Sequence, residues 1–208
     1  MKLKKTTKKI LLVLFIALII IIGILVKKSF FTEKKIKEVK VISTINDYGY
    51  SLRDNKNQTY KEKFDKLKEI LAKKPIDYNE YATQITDMFI YDFYSLDDKV
   101  AKNDIGGVDF VHPKALANFL ENAESTYYKY IESNIYGHRN QSLPMVKEVT
   151  VGNVEQTEYK IEDTSYEEAY KVSATWSYTT DNFSDYQTSA DITIVKEDNK
   201  LYIVELQK

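Results

Sequence analysis

Asp92 is the residue whose placement could most readily do chemistry. It lies in Ile90-Tyr91-Asp92-Phe93-Tyr94, and its spacing from Phe89 and Phe93 puts a carboxylate at or beside an apolar helical stripe. Burial of that kind tunes the pKa of an acid and can make it a general acid or base. The commoner outcome for such a residue is a boundary carboxylate bonded to a tyrosine hydroxyl. The two histidines offer less. His112 precedes Pro113 at a helix start and reads as a cap or loop residue, and His138 lies in the polar loop Gly137-His138-Arg139-Asn140. Asp97-Asp98, Asp104 and Asp109 do not have the spacing of a calcium loop. Gly106-Gly107 lacks the strand, lysine and helix of a phosphate loop and is expected to serve a turn or bulge. No Gly-x-Ser-x-Gly, His-Glu-x-x-His or Ser-x-x-Lys occurs.

The chain is therefore read as non-enzymatic, with no catalytic residue, no metal site and no cofactor expected. Tyrosines are the remaining resource, because a Tyr ring can stack on a glycan or peptide while its hydroxyl bonds. By helical phase Tyr127 and Tyr130 belong to the core and Tyr128 points elsewhere. Tyr178 and Tyr186 fall near the loop end of the expected sheet and read as better exposed. The ligand-binding candidates are thus Asp92, Tyr128, Tyr178 and Tyr186, against a simpler reading of core or rim packing.

Composition narrows the class of partner. The chain carries 30 basic and 31 acidic residues, but five lysines (Lys2, Lys4, Lys5, Lys8, Lys9) fall in the first nine positions. The remainder is acidic, which argues against a nucleic-acid surface. Cysteine is absent, so disulfides, zinc thiolates and thiol catalysis are excluded. With 17 Tyr and 9 Phe the chain has too much aromatic surface to stay disordered. Abundant Lys, Ile, Asn and Tyr without Cys fits a low-GC bacterium with a single membrane.

Ile10 to Val26 reads ILLVLFIALIIIIGILV, free of charge. Seventeen residues at 1.5 Å each give about 26 Å, which snorkelling lysines at both ends extend to a bilayer core. A cleaved signal would need a shorter apolar run and a small-x-small site; Lys27-Lys28-Ser29-Phe30-Phe31 follows instead. An uncleaved single-pass anchor is expected. Lysines crowd both flanks, so orientation rests on the charged-then-apolar layout and on Glu33 and Glu38 diluting the second cluster. That places the tail (1–9) inside and the C-terminal domain outside the cell membrane.

The elements that must hold any site follow from periodicity. After the span (10–26), residues 27–58 read as a charged linker with an extended stretch near Val39 to Ile45 and a loop at Ser51 to Gln58. The α+β domain is expected over 59–208. Thr59 and Glu62 form a capping box before the stripe Tyr60, Phe64, Leu67, Ile70, Leu71. Asp77 and Glu80 cap a second helix with the stripe Tyr78, Tyr81, Ala82, Ile85, Met88, Phe89 and Phe93. Asn103 to Val111 reads as a turn and brief strand. Pro113 opens a third helix, Leu116, Phe119, Leu120, Ala123, Tyr127, Tyr130 and Ile131 marking its face.

From Met145 the period changes from 3.6 to 2. Tyr170, Val172, Ala174, Trp176 and Tyr178 alternate with polar residues, as do Ala190, Ile192 and Ile194. Glu197 to Lys200 is hairpin chemistry. Three helices followed by four antiparallel strands predict an α+β fold with the helices on one face of a curved sheet.

This order resembles the nuclear-transport-factor-2-like fold, a cone of three helices packed on a curved antiparallel sheet. The stretches YGYSLRDN (from Tyr48), KNDIGGVDFVHP (from Lys102) and KLYIVEL (from Lys200) resemble uncharacterised membrane-anchored proteins of Gram-positive bacteria. The layout is also similar to the scaffold subunit of type IV secretion and conjugation machines. That likeness implies a binding or scaffold domain at the cell surface with a protein partner or homo-oligomer. The alternatives are a small-ligand binder or enzyme using a cone cavity around Asp92, and a cell-wall binding module.

Overall fold

The computed structural model describes residues 14–15, 17–22 and 39–207. The chain divides into two units, Met1–Lys37 and Glu38–Lys208. In the first, residues 14–15 and 17–22 are helical and exposed. Among the described residues no helix is long and apolar enough to cross a membrane, and residues 10–13, 16 and 23–26 of the expected span lie outside them.

The second unit is α+β. A hairpin of β1 (Val41–Ile45) and β2 (Tyr50–Arg53) precedes α1 (Gln58–Ala72), α2 (Tyr78–Tyr94) and α3 (Pro113–Ser125). Then come β3 (Val146–Ile161), β4 (Thr164–Tyr178), β5 (Ser189–Glu197) and β6 (Lys200–Gln207). These four form one curved antiparallel sheet in the order β3-β4-β5-β6. The α+β class, the three helices and the sheet agree with the periodicity. The hairpin corrects the sequence reading, because residues 51–53 form strand rather than loop. Tyr50 and Leu52 point inward and are buried, anchoring this strand to the main core.

Each helix starts where a side chain satisfies its free N–H groups. Asp77 accepts from the amides of Asn79 (2.9 Å) and Glu80 (3.1 Å), as expected for α2, while the Glu80 carboxylate pairs with Lys73 (2.6 Å) instead of reaching back to the cap. For α1 the cap is Asn57, which accepts from the Tyr60 amide at 2.9 Å, two residues before the expected Thr59. Asn is the stronger cap, so the helix begins at the first one available. The expected α1 stripe of Tyr60, Phe64, Leu67, Ile70 and Leu71 is buried in full.

The sheet alternates as its sequence does. Tyr170, Val172, Ala174, Trp176 and Tyr178 all face the core, and the register sets Val172 opposite Ile192 and Tyr170 opposite Ile194. Between this face and α1 lies α2, buried on nearly all sides from Gln84 to Tyr94. Polar groups on such a helix are costly unless they find a partner, and the hydroxyls of Thr86 and Tyr94 have none among the described residues. Gln84 finds one by donating to the Lys63 carbonyl at 2.9 Å. Asp92 is treated below.

By contrast α3 has the cleanest stripe and the shallowest burial. Only Ala123 is buried, while Leu116, Phe119 and Leu120 are half-covered. Its N-terminus is nevertheless firmly tied. Val108–Phe110 is a 3-10 turn where a brief strand was expected, reduced to one parallel bridge between Val111 and Ile203. The His112 amide donates to the Ile203 carbonyl at 2.9 Å. The His112 ring is buried; its Nδ1 accepts from the Lys114 amide (3.2 Å), and its Nε2 faces Tyr166 Oη (3.2 Å) and Glu197 (3.3 Å). With Nδ1 accepting, the proton sits on Nε2. Replacing His112 with alanine is expected to cost about 2 kcal/mol, from the lost cap and the stranded amide. His112→Asn should restore part of it; urea unfolding of the two variants checks this.

Candidate functional site

Asp92 occupies the last turn of α2 and is buried, as its place beside the stripe implied. Its carboxylate is fully engaged. Oδ1 accepts from Lys56 Nζ at 2.5 Å and Lys99 Nζ at 3.0 Å, and Oδ2 accepts from the Gly107 amide at 2.9 Å. Lys99, only 3% exposed, also pairs with Asp98. Above the carboxylate lies a cavity of about 40 Å³, bordered by Arg53, Lys56, Asp104 and Asp109.

The surrounding charges favour the ionised form of this acid. Burial alone would raise the Asp92 carboxyl, but Lys99, then Lys56, then the Gly107 amide outweigh it and hold it below the usual carboxylate range. Burial likewise opposes the charge on Lys99, yet Asp92 and Asp98 raise its pKa above the ordinary lysine value. At Asp98 burial wins over its bond to Lys99, and its carboxyl moves upward. A carboxylate so strongly stabilised as an anion is a weak proton acceptor. Asp92 ties the loop 96–107 to the helix end.

Because its native pKa is depressed, Asp92 adds stability that is complete above its unfolded value, about 4, and lost as pH falls toward the folded value. Asp98, raised instead, works in the opposite sense. The unfolding free-energy gap between the wild type and Asp92→Asn should therefore be widest at pH 7 and shrink steadily below pH 4. Denaturant titrations across that range read it directly.

Tyr128 belongs to the same tie. It is wholly buried, its hydroxyl donating to the Phe93 carbonyl (2.6 Å) and accepting from the Gly106 amide (3.1 Å). Helical phase had pointed Tyr128 outward and Tyr130 inward; the reverse holds, since α3 ends at Ser125 and residues 126–130 are turns (Thr126 φ −117°, ψ −91°). Tyr130 is 75% exposed. Tyr178 is also corrected: at 9% exposure it is buried. Its hydroxyl accepts from Trp176 Nε1 (3.0 Å) and donates to the Gln187 carbonyl (2.7 Å), and burial, partly offset by Trp176, pushes its pKa up to about 12.

Tyr186 stays open, 39% exposed, with its ring edge-on to Phe183 (5.6 Å) and Tyr178 (6.3 Å). It lines a cleft of about 460 Å³ together with Tyr127, Tyr130, Ile131, Leu143 and Asp185. The segment after α3 forms one wall and the loop between β4 and β5 the other. Gln187 joins them, its side-chain oxygen accepting from the Tyr127 hydroxyl. Of the four candidates, then, the structure brings Asp92 and Tyr128 together as a buried tie. It sets Tyr178 behind the cleft as support and leaves Tyr186 on its surface. Tyr130 and Asp185 are the residues that sequence reasoning missed; an end to α3 before Tyr127 would have revealed the first.

A second cleft, about 420 Å³, opens beneath α3, bordered by Phe89, Phe93, Phe119, Tyr159, Ile203 and Glu205. Asp92 lines neither of the larger clefts. Among the described residues no group of three or more His, Asp or Glu is placed to hold a metal ion. No family model, curated protein or solved structure matches this chain.

Proposed function

We propose that this chain is a non-enzymatic, membrane-anchored binding and scaffold domain that takes its partner in the aromatic cleft between residues 126–131 and 185–187. One observation carries the reading: Tyr130 and Tyr186 stay exposed on a cleft of about 460 Å³, while Asp92 and His112 are committed to holding the fold. A cleft of that size, mostly apolar with a few polar groups, is the usual form of a binding site. The apolar run Ile10 to Val26 supports an anchor, and its lysine-led layout supports a domain outside the cell. The order of helices and strands supports a nuclear-transport-factor-2-like cone, and anchor plus cone supports a part in secretion, conjugation or cell-envelope assembly.

Photo-crosslinking in intact cells tests this. A benzophenone side chain at Tyr130 or Tyr186 should give a discrete adduct, whereas one at Lys171, exposed on the sheet's outer face, should not. Only monomer at all three positions, or equal capture at all three, would overturn the reading.

A further inference from the structure

We propose that the aromatic cleft recognises an organic ammonium group, a deepening of the binding reading above that depends on it. The inference comes from asking which hydrogen-bonding groups in the cleft are still free. Gln141 is held at both ends: its side-chain nitrogen donates to the Tyr130 carbonyl (2.8 Å) and its oxygen accepts from the Glu132 amide (2.9 Å). Gln187 is held likewise, donating to the Ser189 carbonyl (2.8 Å) and accepting from Tyr127. Thr126 donates to the Asn122 carbonyl at 2.6 Å. Among the described residues Asp185 has no hydrogen-bond or ion-pair partner, and it stands exposed at the rim. No Lys or Arg lines the cleft.

A sugar would find its unoccupied partners only in Asp185 and the Tyr130 and Tyr186 hydroxyls, all three exposed at the rim. An anion would meet Asp185, and Lys129, the cation beside the cleft, already lies over the Tyr130 ring. A neutral apolar group would suit the walls of Leu96, Ile131 and Leu143 but gain nothing from Asp185, which water solvates at the rim. An alkylated ammonium meets both demands. Its methyl or methylene groups fit the apolar floor, tyrosine ring faces attract its charge, and Asp185 neutralises it. The protein already makes one such contact: Lys129 Nζ lies 5.1 Å from the Tyr130 ring centroid.

The chain's single tryptophan is a built-in reporter, because Trp176 bonds Tyr178, which bonds Gln187 in the cleft. Full-length protein in a maltoside detergent, free of choline headgroups, is titrated with choline, with its uncharged carbon isostere 3,3-dimethylbutanol, and with N-acetyl-lysine methylamide. Saturable binding of choline or the lysine amide is expected, the isostere being weaker by about tenfold; which cation binds tighter separates a quaternary from a primary ammonium source. Asp185→Asn should weaken the cation roughly threefold to tenfold and leave the isostere unchanged. Tyr186→Phe, which keeps the ring, should bind as wild type, and Tyr186→Leu should lose about tenfold. No saturable binding of either cation, or equal binding of the isostere, overturns the ammonium assignment. The binding reading itself would fail separately, through absence of crosslinks at Tyr130 and Tyr186.

Discussion

Replacing Lys99 with methionine is expected to destabilise the domain by about 3–5 kcal/mol. Methionine matches the volume of the lysine stem, so lost packing contributes little. What remains is Asp92, buried with one ammonium fewer, and Asp98 with its lysine partner gone. Lys56 cannot compensate fully, since it already bonds the same oxygen of Asp92 at 2.5 Å and is itself 20% exposed. The double variant Lys99→Met, Asp92→Asn should recover part of the loss, because the stranded charge is then gone. Equilibrium denaturation of the four proteins in this cycle gives the coupling. A Lys99→Met variant as stable as wild type would show that the tie bears no load.

Gly106→Ala should cost about 3 kcal/mol or more. A β-carbon there would sit 2.3 Å from the Asp92 carbonyl oxygen and 2.9 Å from its carboxyl carbon. The nearest atom is helix backbone, which cannot swing aside. The loop would have to lift, breaking the Gly106 bond to Tyr128 and the Gly107 bond to Asp92. Gly107→Ala fails for a second reason, a φ of +75° that disfavours any side chain, with Phe89 2.6 Å from the new carbon. Serial substitution with thermal unfolding should place Gly106→Ala and Gly107→Ala well below Gly152→Ala, whose closest neighbour is the hydroxyl of Ser173.

Much of this architecture was legible in the sequence because it is repeated. Five residues of α1 at helical spacing and five of β4 at alternate positions each impose one face, and the structure buries those faces. Asp77, His112 and Pro113 act where their types predicted, since a cap is a local hydrogen bond that neighbours alone decide. The glycine pair was readable as backbone in service of a turn, although the carboxylate it serves was not. Lys56 and Lys99 could not be foreseen. A lysine in SLDDKV reads as solvated, and it becomes buried only when the loop folds back over the end of α2. The tyrosines failed for another reason. Carrying a period of 3.6 past Ser125 assigned Tyr128 and Tyr130 to the wrong sides, because the helix ends there and residues 126–130 are turns.

The clefts show the same division. Their walls come from residues that are apolar or aromatic and look like core. Whether such a residue closes on a neighbour or stops short depends on where two loops end, and no periodicity encodes that. The half-covered stripe of α3 is the clearest case: its pattern predicted a buried helix, yet a cleft of about 420 Å³ lies beneath it.

Partner recognition at the cleft between residues 126–131 and 185–187 should leave its mark on the backbone amides there. Amide hydrogen exchange of the full-length chain compares the purified protein in maltoside with the same protein in membranes of the cell that makes it. Added protection in native membranes should be confined to 126–131 and 183–187, and Tyr186→Leu should abolish it while leaving the core amides of β4 and β5 unchanged. Protection at these segments that is the same in both preparations, or gained only on the sheet's outer face around Lys171, would contradict it.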